Sequence, residues 1–337
     1  MKRSISSAVV CAAGLMALAG GVVQGRGGAP LPVPASGLRI WLDASDAASF
    51  TFDNGAPGQS VAAWASRAPA TEVLTQATKS KQPVRSLLPG FTCVLFDGAD
   101  DVLLRTVAGP VDVAEPTIFM VIAPLSNVGN NQYHAFLSWT RGTQNDYDVG
   151  INVDMGGSGS STFETFNMEG AKLRIPGGSD FMTTGLPFAV PTIVQGNYWN
   201  STIIASINGV AQRAALTPAN QNPVAFDTVR LGARYYGGSE RGYCNVRVAE
   251  VLVYDRTLNA CEINTVGQYL SGKYGITASY LRPDLNGDGI VNTIDLAKLL
   301  GAFGTSVTPF TSGDVNGDGL VNTIDLALLL SSFGLSC

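Results

Sequence analysis

The stretch VRVAEVLVYDRTLNACEINTVGQYLSGKYGI, residues 246–276, changes its period halfway along. Its first ten residues are rich in valine and read as a strand. Asn259-Ala-Cys-Glu262 then carries the cap-x-x-Glu spacing of a capping box, with asparagine in the cap position. Ile263, Val266, Leu270 and Tyr274 recur at helical spacing, and Gly275 ends the run. The reading is a strand followed by one amphipathic helix that closes a domain near residue 275.

Upstream of that helix the chain offers only short β-type runs between turn clusters. LRIWLDAS (38–45), TIFMVIAPL (117–125), YDVGINVDM (147–155) and TIIASINGV (202–210) are examples. Many short strands with regular turn signals predict an antiparallel sandwich rather than alternating strands and helices. Asn208-Gly209, between two such runs, predicts a tight hairpin. Composition agrees: 39 Gly and 17 Pro in 337 residues suit a loop-rich β protein. The formal charge is −5 and no basic patch occurs, which argues against nucleic acid and anionic membrane surfaces as partners.

The N-terminus has a different character. Lys2 and Arg3 precede an apolar run from Ala8 to Ala19, and Ala17-Leu18-Ala19 offers a small-x-small cleavage site. Residues 1–25 therefore read as a secretory signal peptide, since a spanning helix needs about 20 apolar residues. No later segment is long enough for a transmembrane span, and Val9-Val10 before Cys11 argues against a lipoprotein signal. RGGAPLPVPAS (26–36) is a Gly/Pro-rich linker. The expected location is secreted, extracellular or at the cell surface. Export would leave Cys93, Cys244, Cys261 and Cys337, and four cysteines allow three pairings. Cys244 with Cys261 is the expected pair, because it would tie a strand to the following helix for roughly 3 kcal/mol.

Beyond the helix, DLNGDGIVNTID (284–295) returns 30 residues later as DVNGDGLVNTID (314–325), with ten of twelve positions identical. Calcium wants six to eight oxygens at about 2.3–2.6 Å, and a twelve-residue loop can supply them from positions 1, 3, 5, 7, 9 and 12. Those positions are Asp284, Asn286, Asp288, Ile290 by its carbonyl, Asn292 and Asp295. In the second copy they are Asp314, Asn316, Asp318, Leu320 by its carbonyl, Asn322 and Asp325. Gly289 and Gly319 stand where the loop must turn sharply. The position 7 side chains are expected to pack on each other. Asn292 and Asp295, like Asn322 and Asp325, also suit the start of a helix. Leu296, Leu299, Leu300 and Phe303 form an apolar stripe matched by Leu326, Leu329, Leu330 and Phe333. Pro283 and Gly313 abut the loops, and no helix is expected before either.

Two resemblances follow. GLRIWLDASD (37–46), VAAWASR (61–67), VLFDGADDVLL (94–104) and residues 246–276 resemble laminin-G-like jelly-roll domains, of the concanavalin A-like lectin and glucanase fold. That likeness covers about residues 37–277 and implies two packed antiparallel sheets, often with a carbohydrate or protein ligand. Residues 278–337 resemble a dockerin module with two EF-hand-like calcium repeats. The resemblance implies two Ca²⁺ ions and a cohesin-like scaffold or surface protein as partner, met by loop positions 10 and 11. These are Thr293, Ile294, Thr323 and Ile324. Isoleucine replaces the family's second hydroxyl, and Lys298 is the lone basic residue of the two helices.

Catalytic patterns are sparse. His134 is the only histidine, which argues against a His-based triad or a His-rich zinc site. Glucanases of this fold use a Glu-x-Asp-x-x-Glu strand, and EVLVYD (250–255) lacks its central Asp and final Glu. Asp97, Asp100 and Asp101 either hold a further ion or line a turn. Aromatic platforms are the natural device for gripping sugars, and Tyr198, Trp199, Tyr235 and Tyr236 are the candidates, in stretches read as loops. Trp41, Trp64 and Trp139 are assigned to the core. The expected fold is mainly β, a jelly-roll sandwich with a small α-helical dockerin. The favoured function is a non-catalytic, glycan- or surface-binding module tethered by its tail, in polysaccharide binding or degradation. A polysaccharide hydrolase carrying the same tether, and a structural or adhesion protein, are the alternatives.

Overall fold

The computed structural model describes residues 32–335 apart from 56, 57, 114, 129–132, 157–159, 171–180, 200, 201, 217–223, 281, 282, 287, 309, 310 and 317. The expected signal peptide, most of the linker, Cys11 and Cys337 lie outside the described residues. The strands begin with β1 (Leu38–Asp43), β2 (Phe50–Phe52), β3 (Val61–Ala65), β4 (Val73–Thr75), β5 (Val84–Leu88), β6 (Phe91–Asp97) and β7 (Leu103–Val113). They continue with β8 (Thr117–Ser126), β9 (His134–Thr140), β10 (Ile151–Met155), β11 (Thr162–Thr165), β12 (Asn167–Gly170) and β13 (Phe181–Pro187). The rest are β14 (Thr192–Trp199), β15 (Thr202–Ile207), β16 (Val210–Leu216), β17 (Val224–Leu231), β18 (Arg234–Tyr236), β19 (Ser239–Arg241) and β20 (Asn245–Tyr254). The helices are α1 (Asp146–Val149), α2 (Ala260–Tyr274), α3 (Thr293–Gly301) and α4 (Thr323–Ser331).

Two eight-stranded antiparallel sheets form a sandwich. One runs β16-β15-β14-β8-β20-β6-β5 with β1 paired to β20, and the other runs β12-β10-β9-β17-β7-β4-β3-β2. The hairpin β15–β16 turns at Asn208-Gly209, where both residues have positive φ. Strand periodicity explains why β8 is apolar throughout. Ile118, Met120 and Ile122 enter the core between the sheets, while Phe119, Val121 and Ala123 point to a second apolar layer. That outer layer is covered by Leu258, Val266, Leu270, Ile276 and Tyr280, contributed by α2 and its flanking segments. Trp64 and Trp139 are fully buried between the sheets, and Trp41 is fully buried under α2.

Helix α2 starts where its capping box places it. Asn259 Oδ1 accepts the Glu262 amide at 2.9 Å, and Glu262 accepts the Asn259 amide at 3.0 Å. Gly275 ends it in a left-handed conformation at φ 64°. Four donors then fix the helix to the sheet through one carboxylate. Buried Glu250 accepts from Trp41 Nε1 (2.6 Å), Lys273 Nζ (2.7 Å), Tyr274 OH (2.8 Å) and Tyr269 OH (2.9 Å). Lys273 also reaches Asp43 at 2.9 Å. Burial disfavours the charge on Asp43, but Lys273 and the hydrogen bonds from Ser45 outweigh it and hold this carboxyl below its ordinary value. Burial raises the Glu250 carboxyl, with Lys273 opposing.

The expected Cys244–Cys261 bridge is not made. Cys244 and Cys93 are both free and buried. Burial pushes the Cys93 thiol up to about 11 and the Cys244 thiol higher still. Cys244 N bonds Gly232 O at 3.0 Å on the inner face of the sandwich, whereas Cys261 sits outside, in the first turn of α2. The two side chains therefore belong to different layers. Cys261 is itself disulfide-bonded.

The tail has its own small core of Val291, Leu299, Val315, Val321 and Leu329, which Cys261 of α2 joins. Among the described residues no helix lies between α2 and the first acidic loop or between α3 and the second, and each loop leads straight into α3 or α4. No described helix is long and apolar enough to cross a membrane.

Candidate metal centre and partner-facing surface

The two acidic loops adopt one geometry. Asp295 Oδ1 accepts the amides of Leu285 (2.7 Å) and Asn286 (3.0 Å), and its Oδ2 accepts that of Asn292 (2.8 Å). In the second loop Asp325 Oδ1 takes Val315 (2.9 Å) and Asn316 (3.2 Å), and Oδ2 takes Asn322 (2.9 Å). The last carboxylate of each loop thus pins both ends of its own loop. Asn292 and Asn322 return the favour by accepting the Ile294 and Ile324 amides at 2.7 Å, which completes a capping box on each helix. Gly289 and Gly319, both at φ 83°, donate to Asp284 (3.0 Å) and Asp314 (2.9 Å) across the turn. Asn286 and Asn316 accept from the amides of Asp288 and Asp318, each at 2.9 Å.

In the second loop oxygen atoms gather about a common centre. Carboxylate oxygens of Asp314, Asp318 and Asp325 all lie within 4.8 Å of one another, and Asp314 and Asp325 are fully buried. Three like charges so close are mutually repulsive unless a cation joins them. The donors are carboxylates, amides and backbone carbonyls with no thiolate or imidazole among them. A hard cation of calcium's size and flexible coordination fits that set.

The position 7 side chains, expected to pack on each other, are not buried. Ile290 and Leu320 are about half exposed, and the Leu320 backbone instead bridges to Ser306. The apolar stripes also divide. Leu299 and Leu329 are buried and Leu296 and Leu326 pack on the tail core, but Leu300, Phe303, Leu330 and Phe333 are exposed. Phe303 and Phe333 fall beyond the last residues of α3 and α4, Gly301 and Ser331, and the tail core takes only the side of each helix that carries Leu296 and Leu299 or Leu326 and Leu329. Thr293 and Thr323 are exposed, and Ile294 and Ile324 are 53% and 55% exposed.

The candidate sugar platforms fare differently. Tyr235 and Tyr236 lie on strand β18 rather than in a loop, paired with β19. Tyr235 is only 8% exposed, under the Arg230 guanidinium at 4.3 Å, whereas Tyr236 is 43% exposed beside Arg234 and Arg241. Alternation along a strand sends neighbours to opposite faces, so the two rings cannot form one platform. Tyr198 and Trp199 also fall within a strand, β14, their backbones opposite Ile203 and Thr202 of β15. Their side chains are outside the described atoms.

Asp97, Asp100 and Asp101 follow β6. Asp101 Oδ2 accepts the Asp97 amide (2.9 Å) and Asp97 Oδ1 accepts that of Ala99 (2.8 Å), the bonding of a turn. Carboxylate oxygens of the three also lie within 4.8 Å of one another. Burial raises the Asp101 carboxyl to about 6, opposed by the Asp97 amide and assisted by the charges of Asp97 and Asp100. His134 meets the Tyr243 carbonyl through Nδ1 at 2.9 Å. Glu250, the first residue of the incomplete EVLVYD motif, has four donors on its two oxygens and no exposure, which leaves no site for a reactant.

Residues 282–333 match the Dockerin type I domain, a calcium-binding module. No curated protein sequence matches the chain. Among solved structures, the Trypanosoma rangeli sialidase in complex with sialic acid is 14% identical, with a TM-score of 0.48 over 73% of this chain and 35% of its own. The heptameric SAP-like pentraxin of Limulus polyphemus is 13% identical, at 0.40 over 52% of this chain and 80% of its own. The binding domain of botulinum neurotoxin DC in complex with SialylT is 8% identical, at 0.44 over 69% and 52%. The chain spans about 35% of the length of that sialidase. Likenesses at these identities and TM-scores say nothing about what the sandwich binds.

Proposed function

We propose that the chain is an exported two-module protein whose C-terminal module is a calcium-dependent plug. Behind a leader (1–25) and linker (26–36), the sandwich module runs over residues 37–277 and the plug over 278–337. Two Ca²⁺ ions are held by Asp284, Asn286, Asp288, Asn292 and Asp295 with the Ile290 carbonyl, and by Asp314, Asn316, Asp318, Asn322 and Asp325 with the Leu320 carbonyl. Thr293, Ile294, Thr323 and Ile324 face a cohesin-like scaffold or surface protein. The sandwich recognises a glycan or another surface ligand, with Tyr236 among its exposed aromatic groups.

The observation that carries this reading is the recurrence of one loop geometry at two sites 30 residues apart. Each copy ends in a carboxylate that accepts three backbone amides while capping the next helix. The match of residues 282–333 to the Dockerin type I domain supports the partner class. Such modules occur in extracellular proteins, which suits the signal-like N-terminus. A pulldown with the full-length protein tests it, run against an immobilised cohesin with calcium or with EGTA. Capture in calcium alone is expected. Capture in both conditions, or in neither, would count against the docking role.

A further inference from the structure

The hairpin β18–β19 stands apart from both large sheets as a two-stranded unit, with Arg234 opposite Arg241, Tyr235 opposite Glu240 and Tyr236 opposite Ser239. Alternation along the strands gives it two faces. The face carrying Tyr235 and Glu240 is balanced in charge, because Glu240 accepts from Arg230 Nε at 3.1 Å. The other face carries Arg234, Tyr236 and Arg241, and its charges do not balance. Like charges directly opposite on paired strands repel. Asp146 answers Arg234, with Oδ1 2.9 Å from Nη2 and Oδ2 3.3 Å from Nε. Arg241 makes no ion pair among the described residues, and its buried Nε has no hydrogen-bond partner.

Two aromatic rings flank these guanidiniums. Tyr236, 43% exposed, has the Arg234 guanidinium 5.3 Å and the Arg241 guanidinium 5.9 Å from its ring centre. Tyr133, 37% exposed, has Arg234 5.8 Å from its ring centre. A glycine lets the segment bearing Tyr133 come this close, since a Cβ on Gly242, at φ 55°, would stand 2.1 Å from the Tyr133 carbonyl oxygen. Side chains from the start of α1 hold the hairpin in place. Asn145 Oδ1 accepts the Gly237 amide at 2.8 Å, and Asp146 Oδ2 accepts the Tyr235 amide at 3.1 Å. The rings and guanidiniums are therefore set before any ligand arrives.

An exposed ring beside a guanidinium with no anion of its own fits one class of ligand. The C–H face of a sugar stacks on an aromatic ring, and a guanidinium fork takes two oxygens of a carboxylate or a sulfate in parallel hydrogen bonds. We propose that this face of the β18–β19 hairpin binds an acidic sugar residue, an assignment that rests on the reading of the sandwich as a glycan-binding module. Tyr236 lies against the sugar ring, Arg241 grips its acid group, and Tyr133 forms the neighbouring wall. One unanswered guanidinium matches a sugar residue of one negative charge. The chain's net charge of −5 opposes general attraction to polyanions, so capture depends on this local pair.

Isothermal titration of the full-length protein in calcium tests the assignment with the galacturonic acid trimer, its methyl ester, sulfated maltotriose and plain maltotriose. At least one acidic member should bind about tenfold or more tighter than its neutral counterpart, and which one does so tells a carboxylate from a sulfate. Arg241→Ala should weaken that binding about 10- to 100-fold and Tyr236→Ala about three- to tenfold, with the urea midpoint of the sandwich unchanged. Arg241→Lys keeps the charge but loses the fork, and should recover only part of the affinity. Lys79→Ala, which removes an exposed positive charge paired with Asp53, should leave binding as it was. Equal binding of acidic and neutral members would overturn the acidic-sugar assignment and leave the glycan reading standing. Binding of none would overturn both. Acid-selective binding that survives Arg241→Ala undiminished would put the site elsewhere and overturn the assignment to this hairpin.

Discussion

The sandwich and the plug solve the same stability problem with opposite resources. The sandwich has two apolar layers, one between the sheets and one beneath α2, and it answers buried carboxylates with cations, Asp43 and Glu250 with Lys273 and Asp146 with Arg234. The plug has five buried aliphatic residues of its own, and at its centre it gathers carboxylates. A core that small rarely sustains about 60 residues unaided. On the proposed reading, one module is stabilised by what it excludes from water, and the other by an ion it takes from water.

That contrast is broken most severely by removing calcium. Under EGTA, amides of α3 and α4 should lose hydrogen-exchange protection by a factor of about 100 or more, while those of β8 and β20 change less than about twofold. Equal protection with and without chelator would mean that the plug stands on packing alone.

The next effect lies in the other module. Lys273→Met leaves Asp43 and Glu250 facing each other without their cation, and should cost the sandwich about 3–5 kcal/mol in urea unfolding followed by tryptophan fluorescence. Calcium affinity of the plug should not change. A loss in calcium affinity would show that the two modules share one cooperative unit.

A third test uses pH. Asp101 in the fold keeps its proton up to about pH 6, whereas in the unfolded chain it releases it near 3.8. The folded state therefore binds more protons between those values. Stability conferred by Asp101 is present at low pH and falls by about 2–3 kcal/mol as pH rises from 4 to 6, then levels. Asp101→Asn should flatten that slope in a denaturation series. A slope of opposite sign in calcium would mean that an ion joins Asp97, Asp100 and Asp101.

The smallest effect compares the same device in both settings. Asn259→Ala removes the cap of α2 for about 1 kcal/mol, with or without calcium. Asn322→Ala removes an equivalent cap from α4, but its cost should grow when calcium is present, because the same residue helps shape the ion's loop. Equal calcium dependence for the two variants would erase the distinction.

Local devices were legible in the sequence because their partners sit close along the chain. The α2 capping box spans four residues, the Asn208-Gly209 hairpin two, and each acidic loop twelve. What remained hidden depends on distant elements. Glu250 takes its shortest hydrogen bond from Trp41, 209 residues away, and nothing around EVLVYD announces it. Tyr235 and Tyr236 looked like a loop because the glycines after them are a turn, while the strand before it is only three residues long. Cys244 and Cys261 looked suited to pairing by separation, but the sheet between them puts one inside the sandwich and the other beneath the plug. The apolar stripes on α3 and α4 gave the helices correctly without showing which half the tail core would cover.

Isothermal titration of calcium into the chelator-stripped full-length protein tests the central claim most directly, with circular dichroism recorded alongside. Two ions per chain should bind with measurable heat and a gain in helical signal, and the Asp295→Ala, Asp325→Ala double variant should lose both. Silence at millimolar calcium, with a dichroism spectrum indifferent to EGTA, would contradict it.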